Sequence, residues 1–268
     1  MGINMETVRF WNGNKTRARQ DYELALLDAC LKVTQDKQGP YSLSVNNLDY
    51  PKPQDEGNIF ESGCDVLVTV AGNVKFTDKQ KIVIKQPLAK GLLGHRLLIV
   101  RNEALPMFQS LQELKDLQAL SIGIPATWAD AELFRQNQFK VVERGTLDDI
   151  FIRLQNKEFD FIALGANEIE DVFTRPVGLL QNMCIESSMM IYYPFPLVFY
   201  VHPDKPVLAR RIEGGLIRLM QNGEYERLFR AHHGDVVERL NLQRRKIFTL
   251  HNHLLPKEMS NISASLLN

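Results

Sequence analysis

Residues 66–70, Val-Leu-Val-Thr-Val, form an apolar run with no alternation. Such a run suits a strand covered on both faces, as in a parallel sheet. Short apolar runs recur at 7–11, 41–45, 81–84, 96–101, 119–124, 140–143, 159–164, 189–193 and 197–202. Between them the pattern changes to a helical repeat. Over 21–33, Tyr22, Ala25, Leu26, Ala29 and Val33 share one face. Shorter helices are predicted over 111–117, 129–136 and 146–156. The last opens with Thr146-Leu147-Asp148-Asp149, a capping-box-like start. A longer helix is predicted over 206–220, with Ile212, Leu216, Leu219 and Met220 inward. Gly223 interrupts it, 224–232 continues it, and Gly234 stops it. Pro51, Pro53 and Gly57 predict an irregular stretch.

Alternating strands and helices imply an α/β fold with parallel sheets flanked by helices. The β/α units run from 7 to 101, restart from about 106 to 194, and return at 197. That order predicts two lobes joined by two hinge crossovers, near 101–106 and 193–197. Lobe 1 is expected at 1–103 plus 196–268, and lobe 2 at 104–195. Ligands bind outside the carboxyl ends of parallel strands, so a cleft between the lobes is expected to hold one.

Composition narrows the function. Lysine plus arginine is 32 and aspartate plus glutamate is 32, so the formal charge is zero. Nucleic acid as the main partner would ordinarily leave a basic excess. No apolar run reaches the roughly 18–20 residues that cross a bilayer. Residues 1–6 lack the basic start and apolar stretch of a signal peptide. The protein is therefore expected either in the cytoplasm or as a chain whose signal peptide has been removed. Cys30, Cys64 and Cys184 form no CxxC pair and read as small buried or scattered residues rather than metal ligands or a disulfide. His251-Asn252-His253 lacks a third ligand, so no metal is expected. No nucleophile elbow, phosphate-binding loop, dinucleotide fingerprint or zinc-protease motif is present, so no cofactor and no catalytic residue are expected. The acidic pairs Asp148-Asp149 and Glu170-Asp171 read as solvated or helix-start charges.

Four stretches carry a family resemblance. They are Ser110-Leu111-Gln112-Glu113-Leu114-Lys115 with Ser121-Ile122-Gly123-Ile124, and Gly145-Thr146-Leu147 with Phe159-Asp160-Phe161-Ile162. The others are Leu197-Val198-Phe199-Tyr200-Val201-His202-Pro203-Asp204, and Gln221-Asn222-Gly223-Glu224-Tyr225 with His233-Gly234. In these the chain resembles the type II periplasmic solute-binding proteins, in the amino-acid-binding branch (bacterial extracellular solute-binding family 3). Residues 91–96 and 240–256 resemble a solute-binding-like subgroup without an evident partner permease. The resemblance implies a two-lobed periplasmic-binding-protein-like fold and non-catalytic capture of a small solute. It also implies a periplasmic place in an ABC-type amino-acid or polar-solute uptake system. A membrane permease or receptor would be the partner, and the binder itself a monomer. The same fold serves ligand-sensing modules and a few dehydratases. A dehydratase would need an acid/base pair, with Glu168 one candidate.

The resemblance also places the ligand contacts. The family's carboxylate-binding arginine falls at Gln80 here, and its amino-binding aspartate falls at Gly165. Both charged clamps are replaced, and a bidentate arginine is poorly replaced by glutamine or lysine. Arg96, His95 or Lys79 is then the candidate substitute. Trp11 and Asn12 end the first strand, as platform or as surface turn. Ala71, Gly72 and Asn73 end the third, as backbone contacts or as an ordinary turn. Thr127 and Trp128 open a helix whose free N–H groups suit an anion, with Thr127 alternatively a simple N-cap. Asn167 and Glu168 follow 159–164, as polar contacts or as a solvated loop. A small polar ligand is expected, an anion among the candidates.

Overall fold

The computed structural model describes residues 5–174 and 181–261. Twelve strands are described: β1 (Glu6–Trp11), β2 (Tyr41–Asn46), β3 (Val66–Val70), β4 (Ile82–Ile84), β5 (His95–Arg101), β6 (Ser121–Ile124), β7 (Lys140–Glu143), β8 (Phe161–Gly165), β9 (Met183–Ile185), β10 (Met189–Tyr192), β11 (Leu197–Val201) and β12 (Lys246–Thr249). They fall into two compact units, Met1–Leu88 with Leu197–Asp235, and Ala89–Pro196 with Val236–Asn268.

The first unit holds a sheet in the order β2-β1-β3-β11-β4. β1 pairs parallel with β2 and β3, while β11 runs antiparallel between β3 and β4. All five residues of β3 are buried, as their unbroken apolar run requires. Each such Val or Leu contributes about 1.5–3 kcal/mol on burial. The helix Arg17–Lys32 begins four residues before the apolar stripe, because the Thr16 side chain accepts from Arg19 N–H and caps it. The helix Pro206–Gln221 crosses it closely: a Cβ on Gly215 would lie 2.3 Å from the Cys30 carbonyl oxygen. Arg211, buried on that second helix, donates to the carbonyls of Leu31 and Gly39 and to Thr34 Oγ1, and pairs with Glu6 at 3.0 Å. It thereby satisfies carbonyls that the first helix leaves open at its end. Residues 53–57, expected to be irregular, form the short helix Pro53–Gly57, since proline is tolerated where no N–H is needed.

The second unit holds a sheet in the order β12-β10-β5-β8-β6-β7, with β9 added on β5. β6 pairs parallel with β7 and β8, and β10 with β12, while β5 runs against β8, β9 and β10. In each unit the reversed strand is the first one built after the chain crosses over, β5 in one and β11 in the other.

The expected division at 103/104 is therefore corrected. β5 pairs with β8 over five residues, so residues 89–103 belong to the second unit, and the chain first crosses at Leu88–Ala89 rather than near 101–106. The tail is corrected likewise. β12 extends β10, and residues from Val236 onward join the second unit, making a third crossing. Arg245 fixes this tail by donating to the carbonyls of Leu240, Glu186 and Met189. The single helix expected over 111–117 is two, Leu105–Ser110 and Leu114–Gln118. The Asp116 carboxylate accepts from the N–H groups of Gln112 and Glu113 and starts a new turn there. Thr146 and Asp149 do exchange reciprocal backbone-to-side-chain bonds, but they close a turn, and the helix runs Ile150–Gln155. Cys30 and Cys64 are free and buried, and burial pushes both thiols up, Cys64 to about 11.

Candidate functional site

In the first unit, β1 and β3 are parallel neighbours, and the segments that follow them meet at the carboxyl edge. Trp11 is buried, donates from Nε1 to the Leu48 carbonyl at 2.9 Å, and lies against Tyr50. Its indole is committed to the segment after β2 rather than offered as an open platform. Asn12 and Gln20 exchange side-chain-to-carbonyl bonds, while Asn12 Oδ1, also buried, has no protein partner. Ala71 is buried, Gly72 adopts a left-handed φ of +80° and donates to the Tyr200 hydroxyl, and Asn73 Oδ1 caps the next turn by accepting from Lys75 N–H while its Nδ2 donates to Thr69 Oγ1.

The dominant feature of this edge escaped the sequence reading. Lys15 Nζ pairs with Glu23 Oε2 at 2.6 Å and also donates to the Val68 carbonyl. Arg19 takes the other oxygen of Glu23 at 2.8 Å. Beside them, Lys75 and Asn14 share Glu56 Oε2, at 2.7 and 3.0 Å. Burial pulls the Lys15 ammonium below its ordinary range, opposed chiefly by Glu23. Glu23 had a signal in the sequence. It lies four and seven residues before Leu27 and Cys30, on the buried stripe of its helix.

Lys79 and Gln80 lie elsewhere. Val201 pairs with both Val66 and Ile82, so the residues just before β4 and just after β11 share the amino edge. There Phe60, Glu61, Asp78, Lys79, Gln80 and His202 line a cavity of about 430 Å³, with Lys79 and Glu61 paired at 3.4 Å. This edge lies opposite the one that carries Ala71–Asn73.

In the second unit, the carboxyl edge of β6 and β8 gathers most of the remaining candidates. Arg96 faces Gly165 in register and is only 1% exposed. It donates to Asp130 Oδ2 at 2.8 Å and to the carbonyls of Ala163 and Leu93, and stands 3.6 Å from Glu168 Oε1. Tyr193 OH donates to the same Asp130 oxygen at 3.3 Å. Burial would lower the Arg96 guanidinium, but Tyr193, Asp130 and Glu168 together hold it above its ordinary value. Glu168 accepts from the Gly165 N–H. Arg96 is thus no free anion contact but the centre of an ion cluster. His95, wholly buried, donates from Nδ1 to the Gly91 carbonyl at 2.8 Å, and burial lowers its imidazole from the usual 6.5.

Thr127 is not the N-cap. Ala129 holds that position for the helix Asp130–Gln136, and Thr127, buried, takes a left-handed φ of +74° in the preceding turn. For a β-branched residue that conformation is strained. Trp128 is half-buried in the same turn. Asn167 is buried, and its Oδ1 would lie 2.5 Å from a Cβ on Gly165. Among the described residues no cluster of three or more His, Cys, Asp or Glu is placed to hold a metal ion. No described helix is long and apolar enough to cross a membrane.

Solved structures share this fold. A periplasmic binding protein of Salmonella typhimurium, described for its high arginine specificity, matches with a TM-score of 0.59 at 15% identity. The match covers 83% of this chain and 97% of that one. The chain has the fold of the type II periplasmic binding proteins. An amino acid ABC transporter substrate-binding protein of Streptococcus pneumoniae bound to L-arginine gives 0.61 at 8% identity, covering 85% of this chain and 93% of that one. A histidine kinase sensor domain similar to periplasmic binding proteins gives 0.63 at 14%, covering 86% and 97%. No family model matches the chain, and no curated sequence does.

Proposed function

We propose that this chain captures a small polar solute without altering it chemically. It would serve as the extracytoplasmic, periplasmic binding component of an ABC-type uptake system for an amino acid or related polar solute. The observation that carries the reading is that both carboxyl edges end in buried polar groups with atoms left unpaired. These are Asn12 Oδ1 in one unit, and Asp130 Oδ1 and Asn167 Oδ1 in the other. Buried polar atoms are ordinarily paired, and exceptions concentrate where something else completes them. In the first unit, Lys15, Arg19 and Lys75 outnumber Glu23 and Glu56, which favours an anionic group on the solute there. A membrane permease or receptor would read the liganded state, and the binder would act as a monomer.

A sensing module of the same fold is the second reading, favoured by the likeness to the sensor domain. A dehydratase is disfavoured, because Glu168 is spent on Arg96 and the Gly165 N–H. Thermal unfolding against amino acids, organic anions, polyamines and sugars tests the reading. A solute at 100 times its Kd adds about 2.7 kcal/mol, a shift of several degrees. A panel without any shift sinks it.

A further inference from the structure

The cavity beside Lys79 lies on the amino edge of the first sheet, across β3 from Ala71–Asn73. β3 has five residues, so roughly 16 Å of strand separates the two edges. The cavity's volume, about 430 Å³, is that of a small-molecule site. Phe60 and Pro203 give it an apolar wall, and the buried Phe60 ring meets the His202 ring edge-to-face at 5.5 Å. His202 Nδ1 accepts from the Asp204 N–H at 3.0 Å, which fixes the imidazole and leaves its proton on Nε2.

The charges on this cavity are unbalanced. The carboxylates of Glu61, Asp78 and Asp204 line it, against one ammonium, Lys79, which pairs with Glu61 at 3.4 Å. The neighbouring cations are engaged elsewhere. Lys205 Nζ turns to Asp65 at 3.5 Å, and Lys81 Nζ donates to the carbonyls of Phe76 and Lys79. Asp78 and Asp204, both exposed, are thus open to a cation from outside, one ahead of β4 and the other beyond β11. No three such groups are placed to hold a metal ion among the described residues. The split charge suits an organic cation whose charged ends lie apart, with an apolar body between them. We propose that this cavity is a second binding site, which takes an aliphatic cation with an ammonium or guanidinium at each end. Its ends would meet Asp78 and Asp204, and its chain would rest on Phe60 and Pro203, where an aromatic ring also attracts positive charge. The site is separate from the carboxyl edges and does not rest on the solute-binding reading.

Calorimetric titration of the full chain with putrescine and agmatine, against butylamine, butanediol and succinate, tests it. The same titrations are made on Asp78→Asn combined with Asp204→Asn. Both positions are exposed, so this double variant should unfold at the wild-type temperature, which guards against misreading a folding defect. The expected result is that a dication binds about tenfold or more tightly than butanediol and succinate, and about threefold or more tightly than butylamine. The double variant should weaken that binding about tenfold or more, and the His202 ring signals should move when the wild type is titrated in an NMR experiment. Failure of both dications to bind overturns the proposal, as does equal binding of butanediol or succinate. So does dication binding that the double variant leaves within twofold of wild type, or that leaves the His202 signals still. Each of these results leaves the solute-binding reading standing, because that reading is tested at the carboxyl edges.

Discussion

Lys15 Nζ stands 2.6 Å from Glu23 Oε2, with both side chains buried and Arg19 on the other oxygen. Taking two charges out of water is costly, and only the pairing offsets it. Glu23→Gln should therefore cost about 3–5 kcal/mol by leaving the buried Lys15 without a countercharge, and Lys15→Met less, because Arg19 still pairs with Glu23. Lys15→Met with Glu23→Leu should cost clearly less than the sum of the single changes. Urea denaturation of the three variants measures this coupling. Strict additivity would show that the contact contributes nothing.

Thr127 reaches φ +74° without being glycine. An L-residue with a left-handed backbone loses roughly 1–2 kcal/mol, more than glycine's usual entropic penalty of about 0.5–1 kcal/mol. Thr127→Gly should therefore unfold at or slightly above the wild-type temperature. A drop of several degrees would show that the Thr127 side chain holds the turn.

His95 gives stability a pH dependence of known sign. Burial holds its folded pKa below the unfolded value of 6.5, with the Gly91 carbonyl opposing. The unfolded chain therefore binds the proton more readily. The contribution is whole above pH 6.5 and is lost as pH falls through 6.5 toward the folded value. His232, also lowered by burial, adds in the same direction. His95→Phe should flatten, without abolishing, the decline between pH 7.5 and 5.5 in urea melts. An unchanged slope would contradict the assignment.

The tail is held by Arg245 through three carbonyls. Charge-assisted bonds contribute about 1.5–3 kcal/mol each, and stranded buried carbonyls add to the loss. Arg245→Met should lower stability by about 3 kcal/mol or more, read in urea melts. Deleting residues 246–261 would unpair the outer side of β10 and should favour aggregation, measurable by light scattering. Wild-type stability in either variant would show the tail to be an appendage.

The alternation of apolar runs with helical stripes was enough to read the strands, the α/β class and the return of the chain at 197. These depend on local pattern, and β3 or the helix Pro206–Gln221 shows it cleanly. The division between the units was not legible. β5 follows β4 after a short gap, and only its pairing with β8 assigns it to the other sheet. The ion clusters were half legible. Glu23 and Asp130 lie on apolar stripes, a signal that a buried charge needs a partner. The partner of Asp130, Arg96, is 34 residues away in sequence, and no local rule names it. Thr127 was misread because an N-cap and a strained turn residue look alike before the backbone is known.

The central claim is that the chain captures one small polar solute. It is tested most directly by calorimetric titration of the best solute from the thermal screen, on the wild type, on Asn12→Ala and on Trp128→Ala. The account predicts one solute per chain and a loss of tenfold or more in at least one of the variants. Unchanged affinity in both variants would contradict it, as would more than one solute per chain.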